Sequence, residues 1–119
     1  MAVPPDAETV IGGHDLAGRS CAPCGGGVQP LPAAEAGDLA RQLREWEIVA
    51  GRHLRKQFKF RDFRSALAFV NQVGEIAESE GHHPDIVLGW GKVEITLWTH
   101  AAGGLTENDF ILAAKIDRL

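Results

Sequence analysis

The 119-residue chain has little of what usually announces a protein class. Its two cysteines both lie in one Cys21-Ala-Pro-Cys24 stretch, which excludes a disulfide scaffold. A zinc ribbon needs a second such half-site, and there is none. A thioredoxin-like motif would follow a strand and open a helix, whereas this one lies in a Gly/Pro-rich arm. No apolar run reaches the ~18 residues of a membrane span, so no membrane partner is expected. The first residues lack a basic region followed by an apolar one, so no secretory signal is read and the cytoplasm is the expected location. Positive charge is not in excess. The net charge is -4, which argues against nucleic acid as a partner. The run Gly25-Gly26-Gly27 lacks the lysine and the helix of a phosphate loop. No internal repeat is visible. What is present is ordinary for one soluble globular domain, with 45% hydrophobic and 24% charged residues.

Proline and glycine are unevenly spread. Five of the six prolines and six of the fourteen glycines fall within residues 1–32. Nothing there repeats at a strand or helix period, so residues 1–31 are read as an irregular or mobile arm and 32–119 as the folded domain. Removing residues 1–27 is accordingly expected to leave folding intact. After Pro32, helical spacing covers residues 33–43. Trp46, Ile48 and Ala50 alternate as a short strand before a turn at Gly51-Arg52, and Leu54, Phe58 and Phe60 share one face of the next, with Lys56 interrupting it. Asp62 suits an N-cap, and Phe63, Ala66, Leu67, Val70, Val73 and Ala77 form the stripe of a long helix that Gly81 ends. Two more strands carry Ile86, Leu88 and Trp90, then Val93, Ile95 and Leu97. Thr106 and Asp109 have capping-box spacing at the start of the last helix. Two hairpins separated by a helix predict an α+β fold: a four-stranded, mainly antiparallel sheet with three helices packed on one face.

The chemistry-bearing residues gather at the element ends. His82 and His83 leave the long helix before Pro84, and two adjacent histidines cannot both point inward. His100 follows a strand on the parity of Glu94, Thr96 and Trp98. A metal centre of His82, His83 and His100 with Glu78 or Asp109 is the rival reading, but the histidines lack chelating spacing and no metal site is expected. Residues 52–64 carry six basic side chains against Asp62 alone, a pattern that could attract an anionic partner but is read as a solvated sheet edge.

Gly-His82-His83-Pro84-Asp, Trp98-Thr99-His100 and Gly103-Gly104-Leu105-Thr106-Glu-Asn-Asp109, in this order, resemble the pterin-4a-carbinolamine dehydratase family. The resemblance extends upstream through Trp46-Glu47, Phe58-Lys59-Phe60-Arg61-Asp62-Phe63 and Ala66-Leu67-Ala68-Phe69-Val70, and covers about residues 32–119. It implies loss of water from a 4a-hydroxytetrahydropterin to give a quinonoid dihydropterin, without metal or cofactor. The leaving hydroxyl needs a proton and a ring N–H must lose one, work suited to imidazoles of pKa near ~6.5. Carried over by position, His82 and His100 are the acid/base candidates, His83 binds or orients the pterin, and Asp109 holds His100 in its tautomer. Glu78, Pro84, Trp98, Thr99, Ala101 and Ala102 complete the implied binding site, with Trp46 and Trp98 as candidate walls. The resemblance also implies a homodimer or homotetramer and a pterin-dependent hydroxylase as partner. Its alternative is a non-catalytic scaffold, as a Rubisco assembly factor or a transcriptional dimerisation cofactor. The Cys21–Cys24 arm lies outside the shared core.

Overall fold

Residues Ala50 and Gly51 both take left-handed backbone angles, with φ of 53° and 69°, and Arg52 N–H donates to the Val49 carbonyl at 3.0 Å. This tight turn, centred one residue earlier than the Gly51-Arg52 expected, joins β1 (Glu47–Val49) to β2 (His53–Lys59). The computed structural model describes residues 16–23 and 27–119; His14, Cys24 and the expectations resting on them lie outside the described residues. Next come α2 (Phe63–Glu80), β3 (Asp85–Gly89), β4 (Lys92–Leu97), a 3-10 turn (His100–Ala102) and α3 (Glu107–Ile116), with α1 (Ala33–Ala40) preceding β1. The sheet is antiparallel throughout, in the order β1-β2-β4-β3. The α+β architecture of four strands and three helices is the expected one.

The register sorts side chains by face. Ile48, Leu54 and Leu97 form one inward row, Lys56, Ile95 and Ile86 the next, and Phe58, Val93 and Leu88 a third. Leu54, Val93, Ile95 and Leu97 are fully buried against the helices. Lys56 is tolerated in this face because its ammonium meets Asp117 at 2.9 Å and lies over the Phe58 ring. The outward rows, such as Glu47–Arg55–Thr96–Asp85, are polar.

Helix α2 starts where Asp62 accepts the Ser65 N–H at 2.8 Å and stops at Gly81 in the left-handed region. Its buried residues are Ala66, Phe69, Val73 and Ala77, whereas Phe63 and Leu67, expected in the stripe, are exposed. The apolar surface of α2 is wider than one sheet can cover, and its Phe63–Leu67 edge rolls out to solvent. Helix α1 ends at Ala40, and Leu43 follows in tight turns rather than in the helix.

Helix α3 is buried over Asn108–Ala113 on nearly every side because residues 16–23 cover its outer surface. This stretch of the arm has no regular element beyond a 3-10 turn at 16–18, yet it is fastened. Leu16 enters the core, Arg19 pairs with Glu107 at 2.7 Å, and Lys115 donates to the Ala17 carbonyl. Asn108 accepts the Ala22 N–H at 2.9 Å and donates to its carbonyl at 2.6 Å. One apolar residue and a set of backbone bonds leave no periodic trace in a sequence, so the arm read as dispensable contributes to the core. No helix among the described residues is long and apolar enough to cross a membrane.

Candidate functional site

The exit of α2 and the end of β4 face one another across a cleft of about 380 Å³, lined by Gly81 to Asp85 and Trp98 to Ala101. Each side reaches the cleft for a local reason. Gly81 lets the chain turn out of α2, and His82 N–H bonds back to the Ala77 carbonyl, as in a Schellman-type ending. On the other side Thr99 N–H donates to Gly104 at 2.9 Å, and Gly103, with φ of 69°, closes the reversal. That reversal returns the first turn of α3, and with it Asp109, beneath the strand end.

Asp109 is fully buried and serves three donors. One carboxylate oxygen meets His82 Nε2 at 2.6 Å. The other accepts the Thr99 hydroxyl at 2.8 Å and the Thr106 N–H at 2.9 Å. Thr99 spends its only hydroxyl proton on Asp109, so the 2.8 Å contact between the two threonine hydroxyls is donated by Thr106. With Nε2 carrying its proton toward the carboxylate, His82 keeps Nδ1 as the nitrogen able to accept one.

The pairing differs from the expected His100–Asp109. Thr99 turns inward to the threonine–aspartate network, so His100, the next residue, stands on the outward side where strand parity put it. There its ring packs on Trp98, with centroids 3.9 Å apart. His82, arriving from α2 on the inner side, takes the carboxylate. His83 turns to solvent and meets Glu78 at 2.8 Å. The two adjacent histidines therefore divide as expected, one in and one out. Glu78 meets the cleft only through His83, and Ala102 lies in the same turn as His100 but outside the walls. Trp46 is remote from it. Its ring is edge-on to Phe58, and its Nε1–H donates to Asp117 at 2.9 Å.

Gly81 and Asp85, which flank His82 to Pro84 in the motif but were not expected in the binding site, also line the cleft. His53 was missed as a neighbour of the site. It packs edge-on against Trp98 at 4.8 Å, and only the cross-strand register, one step beyond the Leu54–Leu97 pair, would have revealed this. Among the described residues no group of three or more His, Cys, Asp or Glu side chains is placed to hold a metal ion. Cys21 sits against the outer side of α3, its N–H on Glu80 at 2.8 Å and its sulfur near the Asn108 carbonyl. Burial, then the Glu80 charge, pushes its thiol up to about 12.

The comparisons with known proteins point to one family for this four-stranded antiparallel sheet backed by helices. Residues 29–119 match the family model described as "Pterin 4 alpha carbinolamine dehydratase". A curated protein of Rubrobacter xylanophilus, named "Putative pterin-4-alpha-carbinolamine dehydratase", is 59% identical over 88% of this chain and 98% of its own length. A protein of the same name from Alkaliphilus metalliredigens is 47% identical over 88% and 96%. Two solved structures share the fold. A transcriptional coactivator/pterin dehydratase from Brucella melitensis has a TM-score of 0.72 at 35% identity, over 76% of this chain and 97% of its own. A pterin dehydratase-like protein described as a RuBisCO assembly factor in the alpha-carboxysome has a TM-score of 0.53 at 28% identity, over 64% and 86%. The chain belongs to the pterin 4 alpha carbinolamine dehydratase family.

Proposed function

We propose that the protein dehydrates a 4a-hydroxytetrahydropterin to the quinonoid dihydropterin, returning the pterin to a pterin-dependent hydroxylase in the cytoplasm. The observation that carries this reading is the His82–Asp109 pair beside His100 in a cleft of small-ligand size. The C4a–O bond breaks with its electron pair on oxygen, and the hydroxyl leaves as water once protonated. A ring N–H gives up its proton, and the nitrogen pair forms the new double bond to C4a. His82 Nδ1 is the base for one transfer and His100, exposed at the cleft rim, the acid for the other. Asp109 holds the His82 tautomer and stabilises the imidazolium that forms, as a buried carboxylate does for a catalytic imidazole. Trp98 offers a flat wall to a planar ring, and His83 with Glu78 closes the solvent side. Pro84, Thr99 and Ala101 complete the walls.

Stopped-flow measurement of 4a-hydroxytetrahydropterin dehydration is the test. His82→Ala and His100→Ala should each lower kcat by ~10²–10⁴, the range for losing a general acid or base. Wild-type protein that does not accelerate the reaction sinks the reading and leaves the scaffold alternative, which the likeness to the assembly factor supports. A homodimer or homotetramer is part of the proposal, because exposed Phe63 and Leu67 would be covered by a second copy. Multi-angle light scattering checks it, and a monomer at working concentration refutes it.

A further inference from the structure

A row of three rings runs from the outward face of the sheet into the cleft. His53 opens β2 and lies across from Trp98, just past the Leu54–Leu97 pair. The His53 and Trp98 rings are 4.8 Å apart at 64°, an edge-on contact, and the Trp98 and His100 rings are 3.9 Å apart at 36°. Trp98 and His100 both line the cleft; His53 stands behind them, outside it. The His53 Nε2 is buried without a hydrogen-bond partner among the described residues. A buried nitrogen in that condition costs free energy that an apolar side chain would avoid, so no hydrogen bond of Nε2 accounts for a ring at this position. An edge-on imidazole can, however, direct a ring N–H or C–H at an indole face, which is electron-rich.

We propose that His53 is a positioning residue: it holds the Trp98 indole from behind, and through it keeps the cleft wall and His100 aligned for the pterin ring. The proposal rests on the dehydratase reading for its substrate. Trp98 follows the last residue of β4 and packs against two rings, His53 and His100. With His53 removed, one of these two contacts is lost, the indole gains freedom, and His100 loses the fixed surface on which it packs. Small displacements of a positioned group are expensive in rate, because binding must then select the productive arrangement.

The test labels the protein with 5-fluorotryptophan and follows the Trp98 resonance by ¹⁹F NMR, assigned with Trp98→Phe, alongside kcat and KM for the 4a-hydroxytetrahydropterin. In His53→Ala the Trp98 line should shift or broaden, KM should rise at least ~3-fold and kcat should fall. In His53→Phe, which keeps a flat ring edge-on to the indole, the line and KM should return toward wild type. A merely structural role would lower the melting temperature and the folded fraction while leaving KM and the line of the folded protein in place. An unmoved Trp98 line in His53→Ala overturns the proposal. So does a moved line with unchanged KM and kcat, or a His53→Phe variant that restores neither. If wild-type protein binds an oxidised pterin but does not dehydrate, the dehydratase reading alone fails, and the His53 comparison is read from the Kd for that pterin and the Trp98 line.

Discussion

Asp109 does two jobs with one side chain. Its outer oxygen finishes the N-terminus of α3 through Thr106 N–H, and its inner oxygen holds His82. Asp109→Asn separates them. An amide has one accepting oxygen for three donors, and its NH2 cannot face a donating His82 Nε2. If the oxygen stays with Thr99 and Thr106, His82 must present a bare Nε2 and carry its proton on Nδ1, the reverse of what the proposed base needs. The expected result is a folded protein with kcat at least ~10-fold lower and a stability loss of ~1–3 kcal/mol from exchanging bonds to a carboxylate for weaker bonds to an amide; stopped-flow kinetics and a denaturant melt read the two effects. Thr99→Val removes the hydroxyl linking Asp109 to Thr106. It should cost ~1–2 kcal/mol and affect turnover less than Asp109→Asn. Lys56 poses a similar question at the other end of the core. Lys56→Met takes away one of three donors to Asp117, the others being Trp46 Nε1–H and Arg44 N–H. Those remaining bonds should hold the loss to ~1–3 kcal/mol, below the cost of a buried charge left wholly unpaired.

Among the elements, the stretch at 16–23 carries the plainest expectation. Leu16→Ala should destabilise the protein by ~2–5 kcal/mol, as for other fully buried leucines. Glu80 ties this stretch to α2. The Cys21 N–H it accepts, and then Lys115 beside it, hold its carboxyl below the usual carboxylate range despite its burial. A carboxyl so depressed stabilises the fold above its unfolded value near ~4.3, and that stabilisation is lost as pH falls through the lower folded value. Glu80→Gln should flatten this part of the acid denaturation curve, and a curve of unchanged shape would refute the assignment. Cys21, with its thiol raised to about 12, should resist iodoacetamide at pH 8 in folded protein and react on unfolding, as peptide mapping would show.

At the scale of the whole molecule, truncation to residues 28–119 tests how far the family-sized core is self-sufficient. The match to the family begins at residue 29, yet α3 loses Leu16 and the backbone partners of Asn108 when the arm is cut. The truncated protein should melt well below the full chain, since burying one leucine alone contributes ~1.5–3 kcal/mol. Equal melting temperatures would restore the reading of the arm as dispensable.

Period and punctuation determined the order of the elements, because helix and strand alternation and the caps at Asp62, Gly81 and Thr106 are local properties of the chain. They also put His100 on the face of Trp98 and separated His82 from His83. Tertiary structure alone decided which histidine Asp109 holds: His82 and Asp109 are 27 residues apart and meet only because two elements end at the same rim of the sheet. It likewise decided that Trp46 serves Asp117 rather than the cleft, that Lys56 belongs in an apolar face, that Phe63 and Leu67 roll outward, and that His53 stands behind Trp98. The reason is common to all of these. A side chain's parity is written in its neighbours, but its partner depends on register and on how elements pack, and those follow from contacts between residues distant in the chain.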